Sequence, residues 1–348
     1  MRSAVPISLS TITAVGLYFT AMSLFADAPI NEKADSSPAS SFNGINWADR
    51  RDNFVDGWII PSGIDDRAQP ADITMQARSI LTKFKFLLGV NTIRLGINPA
   101  TVLDEKWWSK YRMIIREATS QKLKVILTCW ESRDSRDGKI DNQQEFDRMW
   151  DQVLTDFADS GDVYFEIFNE PHGYSDAKWQ DLAAGWIERQ SKKIEGGDRT
   201  RILVSGSGYN ERLTGVARDK RFDGCSLSFH LYAWFGGKHK TVEGWSREIG
   251  QRIGKPNADR TIVTEWGAPM KTRPQDFYAK RLPDGDRERV YVVAMSNIIR
   301  KWDMGSIYWP GLKGGDDYSL TARKEGSSAL KITNESGKAQ LQWSFKRD

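Results

Sequence analysis

The chain has 348 residues, and its 50 basic and 46 acidic side chains give a net charge of only +4, spread along the whole length. That balance reads as a solvated mixed surface, so no nucleic-acid partner is expected. Two cysteines, Cys129 and Cys225, are too few for a disulfide scaffold and read as buried free thiols. Three histidines without HExxH or CxxC spacing argue against a catalytic metal, and no cofactor is expected.

In chain order, Met1 and Arg2 precede an uncharged, mostly apolar stretch from Ala4 to Phe25, which ends at the small-x-small triplet Ala26-Asp27-Ala28. Residues 1–28 therefore read as a signal peptide, which implies a secreted or periplasmic protein with no membrane attachment once mature. A retained anchor is the alternative, because about 22 residues suffice to span a bilayer, although Ser, Thr and Gly interrupt the run. Residues 29–41 are polar and read as a linker. Residues 42–348 read as one catalytic domain, expected to act as a monomer.

Eight strand-like runs follow, at 41–47, 92–97, 124–130, 163–170, 201–206, 225–232, 261–266 and 306–310. Helix-like segments separate them at 71–88, 105–121, 141–159, 176–194, 242–253 and 286–302, with a shorter piece after Asn210. The second helix shows the pattern: Trp108, Tyr111, Ile114, Ile115 and Ala118 share one face, and Lys110, Arg112, Arg116 and Glu117 take the other. Alternating strands and helices predict an α/β fold, a single-domain (β/α)8 TIM barrel. An open doubly wound sheet would carry a Gly-rich phosphate loop after its first strand, and no such pattern is present. Beyond the eighth strand, 311–321 reads as a long loop over the barrel mouth, where Asp316, Asp317 and Tyr318 either form a turn, the first expectation, or present polar groups to a ligand. Residues 329–345 read as a short strand and a last amphipathic segment that closes the barrel.

Two of the strands stop at an acid. The run from Val163 ends in Asn169-Glu170-Pro171, and the run from Arg260 ends in Glu265-Trp266-Gly267. Strand ends of a parallel barrel are where its chemistry sits, and two carboxyls brought together there are the minimum equipment for cleaving a glycosidic bond. Taken singly, either glutamate is equally a strand-end carboxylate in a salt bridge; taken together they read as a site.

Asn169-Glu170-Pro171 behind an apolar strand, with Ile93-Arg94-Leu95, His230-Leu231-Tyr232, Thr264-Glu265-Trp266-Gly267 and Tyr308-Trp309, resembles glycoside hydrolase family 5, the cellulase family of the retaining barrel clan. The likeness runs for about 270 residues, from Asn43 to Trp309. It implies that Glu170 is the general acid/base and Glu265 the nucleophile, with Arg94, Asn169, His230, Tyr232 and Trp309 completing the site. It also implies a β-linked glycan substrate, with an endo-β-1,4-glucanase as the first expectation and a β-mannanase or another β-glycosidase of the same family as the alternative. Where many members end the third strand in a histidine, this chain reads Thr128-Cys129-Trp130-Glu131, which puts the sugar in doubt more than the mechanism.

The residue types suit that chemistry on physical grounds. Arg94 and Tyr232 are placed to hydrogen-bond Glu265 and hold its pKa down, while an apolar wall and a negative neighbour push Glu170 toward its protonated form. Arg94 has a second candidate partner in Glu166, one inward layer deeper. Asn169 has the reach for a sugar 2-hydroxyl, and His230 either orders the acid or is a satisfied core histidine. Trp47, Trp58, Trp130, Trp234, Trp266 and Trp309 fall at strand ends or in loops, where their faces would stack on sugar rings. Trp130, Trp234, Trp266 and Trp309 are the candidate substrate-binding rings. A non-catalytic carbohydrate-binding barrel is the rival from another class, and the presence of both acids argues against it. A barrel lyase or aldolase would need a Schiff-base lysine or metal ligands at strand ends, and neither is found.

Overall fold

The computed structural model describes residues 37–235, 239–279, 286–323 and 329–346. The expected signal peptide and the first eight linker positions lie outside the described residues. Eight parallel strands close into a barrel in sequence order: β1 (Asn43–Trp47), β2 (Thr92–Ile97), β3 (Lys124–Cys129), β4 (Val163–Glu166), β5 (Ile202–Ser205), β6 (Ser226–His230), β7 (Thr261–Glu265) and β8 (Gly305–Leu312). Pairing of β1 with both β2 and β8 completes the ring. The helices behind the strands are α1 (Pro70–Leu88), α3 (Glu105–Ser120), α4 (Gln143–Phe157), α5 (Asp176–Gln190), α7 (Thr214–Arg218), α8 (Val242–Ile253), α9 (Arg287–Lys301) and α10 (Glu335–Ser344). This is the expected (β/α)8 barrel.

The two short helices α2 (Pro99–Leu103) and α6 (Ser207–Asn210) sit in loops after β2 and β5 and escape a periodicity reading, because neither fills two turns. Side-chain caps fix most long helices: Asp104 for α3, Asn142 for α4, Ser175 for α5, Thr241 for α8, Asp286 for α9 and Asn334 for α10. Helix α10 packs against α9 and α1 and completes the helical ring. The expected loop 311–321 is shorter than its sequence implies. Strand β8 runs on to Leu312, and β9 (Thr321–Arg323) pairs antiparallel with β10 (Leu330–Ile332) outside the barrel.

The barrel interior is layered by the two-residue alternation of its strands. At the floor Ile126, Leu203, Ile262 and Ile307 point inward, and Ala39 and Phe42 seal them from below. Residues 38–41 form a 3-10 turn there, tied to the barrel by the Ser37 hydroxyl, whose one hydrogen is shared between the Asp259 and Asp303 carbonyls at 2.8 and 2.9 Å. The end of the polar stretch is thus part of the floor. One layer up, the interior turns polar, with Asn46, Arg94, Thr128, Glu166, Ser228 and Thr264, all buried. The outward faces of the strands pack on the helices in one large apolar cluster. Cys129 and Cys225 are buried and free, as expected. Among the described residues, no helix is long and apolar enough to cross a membrane.

Candidate active site

Strand β4 ends its ladder at Glu166, four residues before the expected boundary. Residues 167–170 continue upward in irregular backbone, held by the Asn169 N–H on the Cys129 carbonyl at 2.8 Å. Glu170 takes a left-handed φ of 51°, a conformation that a non-glycine residue adopts only where its surroundings insist. Its N–H is held by the Asn210 side-chain oxygen at 3.1 Å, and its carbonyl accepts from the His172 N–H at 2.7 Å. On the far side, β7 carries a bulge against β6: Phe229 pairs with Val263, then His230 with Glu265, so that Thr264 is an extra residue. The bulge turns two consecutive side chains, Thr264 and Glu265, into the barrel, where regular alternation would admit one.

Arg94 sits at the centre of what results, 1% exposed. Its guanidinium donates to both oxygens of Glu166 (2.6 and 3.1 Å), to Glu265 Oε1 (2.5 Å), to Asn46 Oδ1 (2.9 Å) and to Asn169 Oδ1 (2.8 Å). Both candidate partners of this arginine are real. Tyr232 donates its hydroxyl to Glu265 Oε2 at 2.9 Å, and His230 Nδ1 lies 2.9 Å from Glu170 Oε1. Oxygens of Glu170 and Glu265 come within 4.8 Å of each other, with His230 Nδ1 between them. Those three donors have the spacing of a metal site, but the Arg94 guanidinium already occupies the near side of Glu265 with like charge for any cation.

Burial dominates the electrostatics. It pushes Glu170 well above the usual carboxyl range, and the neighbouring Glu265 adds to the rise. Glu265 is also pushed up by burial, to about 7, although Arg94 and Tyr232 pull the other way. The expectation that these partners hold Glu265 below its ordinary value is therefore corrected, because desolvation outweighs them. What they do set is the order within the pair. Glu265 touches the guanidinium and the phenol, Glu170 touches neither, and the shared proton resides on Glu170 while the charge resides on Glu265. Burial and Arg94 depress His230 far below its usual range, so its ring is neutral. Tyr232 is raised well above its usual value, chiefly by burial, and stays a phenol that can donate.

Over the two acids lies a cleft of about 320 Å³ lined by Trp130, Trp234, Phe235, Tyr232, Trp309 and Tyr318, with Asp52, Phe54, Lys313 and Asp316 at its rim. Trp309 stacks on Trp130 with ring centroids 5.6 Å apart, and Phe54 abuts Trp130 edge-on. Trp234, 48% exposed, lies flat against Tyr232 at 4.4 Å. From there Phe235, Tyr209 and His172 continue the row of rings, with Phe235 to Tyr209 at 4.8 Å and Tyr209 to His172 at 4.0 Å. The two glycines after Phe235 lie outside the described residues.

Trp266 does not belong to this cleft. Because Glu265 faces inward, the next side chain turns outward, where Trp266 is fully buried and donates to the Ser306 hydroxyl at 3.1 Å. Trp47 is likewise buried under α1, against Phe84, and Trp58 stacks on Trp107 and lines a separate hollow with Pro99 and Asp104. Asp317 serves as the expected turn, bonding Met270, Lys271 and Thr272, whereas Asp316 and Tyr318 reach the cleft. The Trp130 segment also walls off a separate, better enclosed cavity of about 210 Å³, which contains Glu131. Burial pushes that carboxyl up to about 7. Asn169 lies 2% exposed, and its Nδ2 has no partner among the described residues. The sequence reading passed over Asn46, Thr128, Ser228 and Asn210. The first three are visible in retrospect as inward positions by alternation; Asn210 comes from a loop and carries no such signal.

The barrel and its paired carboxyls place the protein among barrel hydrolases. Residues 76–310 match the family Cellulase (glycosyl hydrolase family 5), and the chain belongs to that family. A curated relative, Endoglucanase A of Evansella cellulosilytica, is 22% identical over 224 residues, covering 64% of this chain and 40% of the relative. The chain thus spans less than half the length of that protein. Among solved structures, the catalytic domain of the major endoglucanase of Xanthomonas campestris pv. campestris superposes with a TM-score of 0.62 at 13% identity, covering 87% of this chain and 94% of that one. The hyperthermophilic endocellulase of Pyrococcus horikoshii superposes with a TM-score of 0.64 at 14% identity, covering 88% and 92%. At such identities these structures share the fold.

Proposed function

We propose that the protein hydrolyses a β-1,4-linked glucan internally, with retention of anomeric configuration, using Glu265 as nucleophile and Glu170 as acid and then base. The observation that carries this reading is the approach of the two carboxyls to within 4.8 Å. Retaining enzymes hold their carboxyls about 5 Å apart, whereas inverting ones leave roughly 6.5–9.5 Å for a water. In the first step Glu170 protonates the leaving oxygen while ionised Glu265, steadied by Arg94 and Tyr232, attacks the anomeric carbon. In the second, Glu170 takes a proton from water, which displaces the sugar from Glu265. The unpartnered Asn169 Nδ2 suits a sugar 2-hydroxyl, and the row of rings from Tyr232 to His172 suits successive sugars of a chain, which favours internal attack. The endoglucanase relatives support the same substrate class. On this reading the expected leader exports the enzyme.

The test is reducing-sugar release from β-glucan, mannan, xylan and xyloglucan by wild type, Glu170→Ala and Glu265→Ala, with glycosyl azides followed by mass spectrometry when azide is added to the variants. Glu170→Ala is expected to lose about 10²–10⁴-fold in kcat and to recover as a β-glycosyl azide. Glu265→Ala is expected to lose on the order of 10⁴-fold or more and to form no β-azide. Activity undiminished in either variant would sink the assignment.

A further inference from the structure

Below the two acids, a chain of hydroxyls connects His230 to the buried Glu166. Glu166 is held by Arg94 through both oxygens and is an acceptor only. The Ser228 hydroxyl, 2.6 Å from Glu166 Oε1, must therefore donate to it. Having spent its one hydrogen, Ser228 can only accept from Thr264 Oγ1 at 2.5 Å, and it also accepts from Asn210 Nδ2 at 2.8 Å. The Asn210 amide cannot be turned the other way, because its oxygen holds the Glu170 N–H. Thr264 has then spent its own hydrogen, so toward His230 Nε2, 3.0 Å away, it can only accept. Asn210 Nδ2 also lies 3.4 Å from Nε2, but its two hydrogens have acceptors in Ser228 Oγ and, again at 3.4 Å, Glu166 Oε1, so Nε2 carries the ring proton.

From this geometry we propose that Glu166, acting through Ser228 and Thr264, fixes His230 as the Nε2–H tautomer, so that its bare Nδ1 accepts the proton of Glu170. Ser228, Thr264 and Glu166 are positioning residues: they touch no substrate, and they decide which way the hydrogen bond at the acid points. The consequence for catalysis rests on the retaining reading above. A neutral ring whose Nδ1 only accepts favours the protonated carboxyl, so the acid is loaded before the substrate arrives. Once Glu170 has given its proton to the leaving oxygen, its carboxylate faces a lone pair instead of an N–H, and it stays basic enough to deprotonate water in the second step. A Nδ1–H tautomer would stabilise the carboxylate and weaken both steps. The charged and titratable groups around the ring are Glu170 from the segment beyond β4, Glu166 at the end of β4, Arg94 from β2, Glu265 from β7, with Oε2 3.8 Å from Nδ1, and Tyr232 after β6.

The tautomer is readable without any turnover. The chain has three histidines, so nitrogen-15 spectra of histidine-labelled protein contain six ring nitrogens, assigned with His172→Gln and His239→Gln. In wild type near neutral pH, His230 is expected to show an unprotonated Nδ1 and a protonated Nε2. Thr264→Val removes the acceptor at Nε2 and is expected to exchange the two signals, whereas Thr264→Ser keeps the wild-type pattern. Ser228→Ala frees the Thr264 hydrogen to donate to Nε2 and is expected to produce the same exchange, which covers a failure of Thr264→Val to fold. In Thr264→Val the alkaline limb of kcat/KM is expected to move about one pH unit toward acid, with recovery in Thr264→Ser. A protonated Nδ1 in the wild-type spectrum, alone or with Nε2, overturns the proposal whether or not the protein cleaves glucan. Loss of glucan cleavage with the expected tautomer would overturn the functional reading and leave the relay standing.

Discussion

The floor and the mouth of this barrel are built from the same strands and differ in almost everything else. On β3, β7 and β8 an inward isoleucine at the floor, Ile126, Ile262 or Ile307, is followed two residues later by Thr128, Thr264 or Trp309. At the floor, Phe42 meets Tyr164 edge-on at 4.7 Å and Lys124 lies over its ring, an arrangement that excludes water and leaves little unsatisfied. One layer up, a single guanidinium faces Glu166 and Glu265, with Glu170 just beyond, all in surroundings from which water is largely removed. One cation cannot neutralise three carboxyls, and burial raises the proton affinity of both Glu170 and Glu265. The floor is organised for stability, and the mouth accepts a cost in stability to hold a proton where it is needed.

The sharpest way to break that contrast is Arg94→Met, which leaves Glu166 and Glu265 buried without a cation. It is expected to cost about 3–5 kcal/mol in urea unfolding at neutral pH and to abolish turnover. The loss should shrink in mild acid, where the carboxyls protonate; a cost below about 1 kcal/mol would show that the mouth is not under electrostatic load. Phe42→Ala probes the other end. Truncating this buried ring is expected to cost about 3 kcal/mol while leaving kcat and KM at 25 °C unchanged, since no residue it touches reaches the cleft. A tenfold kinetic change would mean that the two ends are not independent.

Much of this was legible in the chain. Both acids end apolar runs, and alternation places Arg94, Glu166 and His230 on inward faces, so the fold and the central cluster follow from period-two patterning. What failed was parity at β7. Trp266 stands next to Glu265 in a run that reads as ordinary strand, and the bulge at Thr264 exists only in the register with β6, which one strand cannot display. The end of β4 was misplaced for a related reason: Ile167 and Phe168 continue the apolar run, but after the Ile167 N–H reaches the Leu203 carbonyl of β5 the backbone turns, and the Asn169 N–H bonds the Cys129 carbonyl of β3 instead. Glu265's pKa was misjudged because its partners can be named from sequence, whereas the depth of burial that outweighs them appears only when the barrel closes.

That burial yields the smallest effect, and the one whose sign is least intuitive. The Glu265 carboxyl is raised from 4.5 to about 7 on folding, so it binds its proton more tightly in the native state than in the unfolded one. Its contribution to stability is fully present below about pH 4.5 and is lost as pH rises through about 7. Glu265→Gln, which keeps the shape and cannot ionise, is expected to match wild type in unfolding free energy near pH 4. It should exceed wild type by an amount that grows up to roughly 3 kcal/mol by pH 8. Glu170, raised further, contributes in the same direction at higher pH, and removing the charge on Glu265 lowers that second cost as well. Urea unfolding of both proteins from pH 4 to 8 measures the difference. A variant less stable than wild type at pH 8 would mean that Arg94 and Tyr232 stabilise the ionised carboxyl by more than burial opposes it, and the mouth would then be as well compensated as the floor.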